Sequence, residues 1–274
     1  MINAHLKDVL KERMSMFPYN YHTHTRRCGH ASGSDEEYVL AAIKAGYKVL
    51  GFSDHAPYRD YPHPGSHMDW EQLEDYISSI NALKEKYKDQ ITILLGTESE
   101  YYPYCLEERK ELRSMLDYML LGQHYDHPSG KGVNYFKENT DEEILVYAKA
   151  VVEAADSGLY SYLCHPDVFM NHQNDFTKVC EEAAHMIGQA CQRNQLPVEL
   201  NVRGVMKGKK PFPNGDQYWY PHKDFWRILA KYDLKVVVGI DAHAPDDLLE
   251  TEFIDEGIRE LSDLNLTFID HPFI

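Results

Sequence analysis

Residues 19–30 read Tyr19-Asn20-Tyr21-His22-Thr23-His24-Thr25-Arg26-Arg27-Cys28-Gly29-His30. Tyr19–His22 reads as a short strand, and His22 and His24 at its end are separated by one residue. Successive side chains of an extended backbone point to opposite faces, so both imidazoles lie on one side, where they can hold one metal ion. A lone His-x-His is also an ordinary surface pattern, so its meaning depends on the company it keeps.

That company is a regular alternation of strands and helices. Asp35–Ala45 is a helix, with Ser34 as N-cap, Glu37 completing a capping box and Gly46 at its stop. Strands are expected at Val49–Ser53, Ile91–Thr97, Tyr118–Gly122, Ser161–Cys164, Pro197–Leu200 and Lys235–Gly239, with Leu266–Ile269 as a last extended piece. Helices fall between them at Trp70–Tyr87, Leu106–Leu116, Asp141–Ala155, Lys178–Arg193, His222–Lys231 and Asp246–Leu261. Ile2, Leu6, Val9, Leu10 and Met14 recur at helical spacing, so residues 1–16 are expected to form a helical extension packed on the body. Pro57–Met68 and Gly204–Pro221 read as long βα loops.

Strands alternating with helices pair in parallel through right-handed crossovers, in either a closed barrel or an open sheet. The strand ends choose between these. After the first strand they supply Ser53-Asp54-His55, Glu98-Ser99-Glu100, His124, His165-Pro166-Asp167, Glu199-Leu200-Asn201 and Asp241-Ala242-His243. Closing the sheet gathers these groups at the C-terminal face of a barrel, and an open sheet scatters them. A single α/β domain over residues 1–274 is therefore expected, built as a TIM-like (β/α)7 barrel. Imidazole and carboxylate together exceed what one ion needs and suit zinc, manganese or iron, with Glu98 able to bridge two ions.

Composition narrows the function. A formal charge of −16 argues against nucleic-acid backbones and anionic membranes as partners. The longest apolar run, Tyr38–Ile43, is far short of a membrane span. Lys7, Asp8, Lys11, Glu12 and Arg13 interrupt any secretory signal, so a cytoplasmic protein is expected. Five cysteines without CxxC spacing read as reduced thiols.

The ordered series HTHT…H, SDH, GTESE, QH, CHPD, ELN and GIDAH resembles the polymerase-and-histidinol-phosphatase (PHP) family, in particular its stand-alone histidinol-phosphatase branch. The likeness runs from Tyr19 to the C-terminus. It implies a distorted TIM-like (β/α)7 barrel and a trinuclear divalent-metal site, with one ion on His22, His24, Glu98 and Asp241, a second on Glu98, His124 and His165, and a third on His30, His55 and His243. It also implies hydrolysis of a small phosphate monoester, L-histidinol phosphate, in histidine biosynthesis.

The residues suggest further roles. Asp54 is a candidate acid for the leaving group or, equally, a residue that orients a ligand histidine. Arg203 is a candidate phosphate grip, with Arg26, Arg27 and Lys207 as alternatives. Asn201 can meet substrate or fix its loop, and Glu100, Tyr101, Tyr102 and Asp126 lie close in sequence to ligands, where a cationic and aromatic alcohol would need partners. His63 and His67 could reach substrate from their loop. The competing readings are a PHP-type phosphoesterase acting on a nucleotide or nucleic-acid diester, a barrel amidohydrolase, which would favour a strand-end lysine that is absent here, and a non-catalytic metal binder.

Overall fold

The computed structural model describes residues 17–272, so the expected N-terminal helix lies outside the described residues. Eight parallel strands form one sheet in the order β1 (Tyr19–Asn20), β2 (Val49–Phe52), β3 (Thr92–Ser99), β4 (Tyr118–Leu121), β5 (Tyr162–Leu163), β6 (Val198–Asn201), β9 (Lys235–Gly239) and β10 (Thr267–Phe268). The sheet curls until its ends meet. Thr23 bridges Ala242, with His24 N donating to Ala242 O at 2.9 Å and Ala242 N to His22 O at 3.1 Å. The Asn20 amide reinforces the seam by accepting from Ile240 N at 2.9 Å.

Seven strands thus surround the centre, as the alternation predicts, and β10 is an eighth that pairs with the start of β9 (Thr267 with Lys235). Tyr19 and Tyr21 hydroxyls donate to Ile269 O and Asp270 O, which wedges this last piece between β9 and β1 at the N-terminal end. The barrel is therefore tight at its C-terminal edge and propped open at the other. Inside, the Tyr118 hydroxyl donates to Tyr21 O at 2.7 Å and Phe52 O at 2.8 Å, so a polar tip crosses an otherwise filled interior.

Local chemistry sets the helix ends. Capping boxes at Ser34/Glu37 and Thr140/Glu143 start the helices Asp35–Ala45 and Asp141–Ser157, and Gly46 and Gly158 end them in the left-handed region. Two expectations change. The helix expected over Asp246–Leu261 is a 3-10 turn at Pro245–Leu249 followed by a helix at Glu252–Glu260, because the Asp247 carboxylate turns back to accept from His243 N (2.8 Å) and Ala244 N (2.9 Å). The loop Gly204–Pro221 holds structure of its own, a helical turn Val202–Met206 running into its start and the hairpin β7 (Lys210–Phe212) and β8 (Gly215–Gln217), where Gly215 takes the positive φ that a tight turn needs. Among the described residues no helix is long and apolar enough to cross a membrane.

Candidate metal centre

Strand alternation turns Glu98 on β3 and Glu199 on β6 into the barrel, and two glycines make room for them. A Cβ on Gly122 would sit 1.9 Å from Glu98 Oε1, and one on Gly239 would sit 1.8 Å from Glu199 Oε1. Two carboxylates are thereby buried in the barrel, each 1% exposed or less. Such groups need compensation by partners or metal.

Glu98 is the hub. Its Oε2 lies 3.4 Å from His22 Nε2, 3.5 Å from His24 Nε2 and 3.3 Å from His55 Nδ1. Its Oε1 lies 3.1 Å from His124 Nε2 and 2.9 Å from His165 Nε2. One carboxylate thus offers an oxygen to each of two groups of imidazoles, the arrangement of a bridging ligand. Asp241 Oδ1 completes the first group, 3.1 Å from His24 Nε2 and 3.6 Å from His22 Nε2. A third group forms at the rim, where His30 Nε2 and His243 Nε2 are 3.1 Å apart and His24, His55 and His243 bring their nitrogens within 4.8 Å of one another. His55 stands between the groups, facing Glu98 on one side and the rim on the other.

These spacings fit metal ions. Two nitrogens bound tetrahedrally at about 2.05 Å from one ion are roughly 3.3 Å apart, close to the 3.2 Å between His124 Nε2 and His165 Nε2. The far nitrogens are already committed. His22 Nδ1 pairs with Glu199 Oε1 at 2.8 Å, His124 Nδ1 with Glu100 Oε1 at 3.0 Å, His30 Nδ1 with Cys28 O at 3.2 Å and His243 Nδ1 with Asp241 O at 2.9 Å. With an ion bound and the proton held on Nδ1, each Nε2 would turn a lone pair inward. His22 Nε2, both ring nitrogens of His24 and Asp241 Oδ1 are buried without a hydrogen-bond partner, which is costly unless an ion takes them.

Burial pushes the Glu98 and Asp241 carboxyls up, but the surrounding imidazoles outweigh it, His124, His22 and His55 at Glu98 and His22, His24 and His243 at Asp241, and both are held well below the usual carboxylate range. Cys164 lies in the same cluster as His22, Glu98 and His165, where burial, Glu199 and Glu98 push its thiol well up. Backbone strain is also concentrated here. His165 (φ 26°) and Asp241 (φ 58°) hold positive φ, as non-glycine residues at functional sites sometimes do.

The cluster opens into a cavity of about 240 Å³ lined by His30, His55, Glu98, His124, Asp241 and His243 on one side and Gly65, Ser66, Tyr125 and Phe136 on the other. The second set went unread in the sequence, because loop residues carry no periodic signal. Glu199 was quoted there only as a strand end. The spacing of Glu199 and Asn201, two apart on β6, was the available sign that both face inward.

The structure shows where the candidate substrate-contact residues lie, and for Asp54 and Asn201 which of the two roles their surroundings favour. Glu100 is buried and accepts from His124, from His67 Nε2 at 3.0 Å and from the Tyr58 hydroxyl at 3.2 Å, so it supports the cluster and does not line the cavity. His67 Nε2 is taken by Glu100, and the residue does not line the cavity. Tyr102 packs with Tyr58 and Cys105, and its hydroxyl donates to Tyr125 O at 3.0 Å, outside the cavity. Asn201 donates to Glu199 Oε2 at 2.9 Å and Asp241 Oδ2 at 3.3 Å, tying two strands together beneath the cluster. Asp54 is fully buried among Thr25, the His55 amide at 2.9 Å and His24 Nδ1 at 3.6 Å, facing a histidine and not the opening. Arg203 donates to Asp247 Oδ2 at 2.9 Å and remains half-buried beside the rim.

Comparison with known proteins agrees with this architecture. The chain is 29% identical over 259 residues to a Deinococcus radiodurans protein named "Probable histidinol-phosphatase", covering 90% of this chain and 95% of the relative. It is 24% identical over 251 residues to a Schizosaccharomyces pombe protein of the same name, covering 83% of this chain and 81% of the relative. A histidinol phosphate phosphatase from Lactococcus lactis, solved with zinc, L-histidinol and phosphate, superposes with a TM-score of 0.71 at 17% identity, covering 92% of this chain and 95% of that one. The family model described as the PHP domain matches residues 20–203, two-thirds of the sequence and most of the strands that carry the cluster. With that match and the barrel-top cluster together, the chain belongs to the PHP-domain family.

Proposed function

We propose that this chain is a metal-dependent phosphomonoesterase that hydrolyses L-histidinol phosphate to L-histidinol and phosphate in histidine biosynthesis, working in the cytoplasm. The observation that carries the reading is the convergence of His22, His24, His30, His55, Glu98, His124, His165, Asp241 and His243 in one cluster that opens into the cavity, in a chain that covers 95% of a relative bearing that name. His22, His24, Glu98 and Asp241 would hold one divalent ion, Glu98, His124 and His165 a second, and His30, His55 and His243 a third, with zinc, manganese or iron fitting the donor set. Bound ions would polarise the phosphoryl oxygens and acidify the water that attacks.

The chain's own residues set up that chemistry. Glu199 and Glu100 fix the rings of His22 and His124, and Asn201 fixes Glu199 and Asp241. Asp54, facing His24, acts by orienting that ring and not on the leaving group. Arg203, anchored at one nitrogen by Asp247, keeps other N–H groups for a phosphoryl oxygen. Tyr125 and Phe136 give the cavity an aromatic wall suited to an imidazole-bearing alcohol.

Phosphate release from L-histidinol phosphate, with p-nitrophenyl phosphate and its bis-ester as comparisons, tests this. Turnover on the order of 10 s⁻¹ on the histidinol ester supports the reading. Turnover confined to the bis-ester would replace it with a diesterase.

A further inference from the structure

Lys207 caps the helical turn Val202–Met206, four residues after Arg203. A lysine on this outer surface can extend into water, where its ammonium is best solvated. Its Nζ instead donates to the hydroxyl of the buried Tyr220 at 2.6 Å, while the residue as a whole stays exposed. The ammonium lies 4.8 Å from the centroid of the Tyr220 ring and 5.5 Å from that of Phe136.

Both rings belong to the metal centre. Phe136 lines the cavity and stacks on His124, with centroids 5.3 Å apart and planes 9° from parallel. The Tyr220 ring stands 6.4 Å from His165, and its hydroxyl is carried by a residue only 1% exposed. The ammonium thus stands against the two rings that flank His124 and His165, next to Phe136 of the cavity wall.

Among the described residues its one hydrogen-bond partner is neutral, and no carboxylate lies within ion-pair distance of it. The attracting carboxylate, Asp241, is engaged with His24 and His243. A cation held against two aromatic faces with no carboxylate paired to it, in a chain with a formal charge of −16, has an anion still to meet.

We infer that Lys207 binds a phosphoryl oxygen of the substrate at the mouth of the metal cavity, with Tyr220 and Phe136 positioning its ammonium. This rests on the phosphomonoesterase reading. Lysine suits the task as a point charge that can follow a rotating phosphoryl group, where an arginine fork would fix one geometry.

The test compares the metal-loaded wild type with Lys207→Met, which keeps the stem, and Lys207→Arg, which keeps the charge. The readouts are the Kd for inorganic phosphate by calorimetry, KM and kcat for p-nitrophenyl phosphate, metal content and Tm. Lys207→Met is expected to weaken phosphate binding and raise KM by roughly ten-fold, with metal content and Tm unchanged, and Lys207→Arg to recover most of that loss. Unchanged phosphate affinity and KM in Lys207→Met would overturn the inference, as would a loss that tracks a fall in Tm and is not recovered by arginine. A wild type that neither binds phosphate nor turns over the ester would instead overturn the phosphomonoesterase reading itself.

Discussion

Buried imidazoles occupy two different regions of this protein. At the barrel top, His22, His24, His124 and His165 turn ring nitrogens toward the carboxylates of Glu98 and Asp241. Beyond the rim, His222 is fully buried with both ring nitrogens unpartnered, stacked on Phe176 at 5.3 Å and edge-on to Phe212 at 4.7 Å. Both regions contain orphaned nitrogens, but only the first also contains converging oxygens. The difference teaches that an unpaired buried imidazole points to a metal when other donors share its space. Among aromatic rings it acts as a flat packing element.

The comparison breaks most clearly at its strongest point. His22→Ala or Glu98→Ala should lower turnover by a factor on the order of 10³ or more and strip metal while far-UV circular dichroism stays native. Full activity in either variant would remove the cluster from the chemistry. Glu199→Gln leaves every proposed ligand in place but weakens the hold on His22 Nδ1, and should cost roughly 10- to 100-fold in metal affinity or activity, read by metal titration. An unchanged affinity would show that Glu199 only fills the notch at Gly239. Arg203→Ala should raise KM for a phosphomonoester about ten-fold with little change in Tm, and an unchanged kcat/KM would remove Arg203 from substrate binding.

His222 sharpens the other side with the smallest effect. Burial pushes it down to about 4, below its ordinary 6.5. The fold is therefore favoured by a neutral His222, a contribution fully present above about pH 6.5 and lost as pH falls toward 4. His222→Phe should leave metal content and turnover at pH 7 intact and flatten the fall of Tm between pH 6.5 and 4.5. A loss of metal in this variant would make His222 part of the centre after all.

Much of this was legible in the sequence, for a physical reason. Parallel strands followed by helices deliver their last residues to one edge, so the positions of His22, Glu98, His165 and Asp241 along the chain already imply their meeting in space. What the strands did not announce was which way the neighbouring polar groups turn. Glu100 follows Glu98 by two residues, yet its carboxylate is taken by His67, Tyr58 and His124, partners from loops and another strand. Tyr102 was read toward substrate for the same reason and Asn201 was left between two roles, since a polar residue next to a ligand can face substrate or support the ligand, and only packing decides. The hairpin at Lys210–Gln217 was hidden because three-residue strands are too short to show alternation.

On the proposed function, nine residues at the barrel top would hold three divalent ions on which phosphomonoester hydrolysis would depend. Elemental analysis and phosphate release from L-histidinol phosphate, measured on the same samples of wild type before and after chelation, test it most directly. The account predicts about three ions per chain, with activity lost on their removal and regained on adding the divalent ion back. Undiminished turnover by protein carrying less than one ion per chain would contradict it.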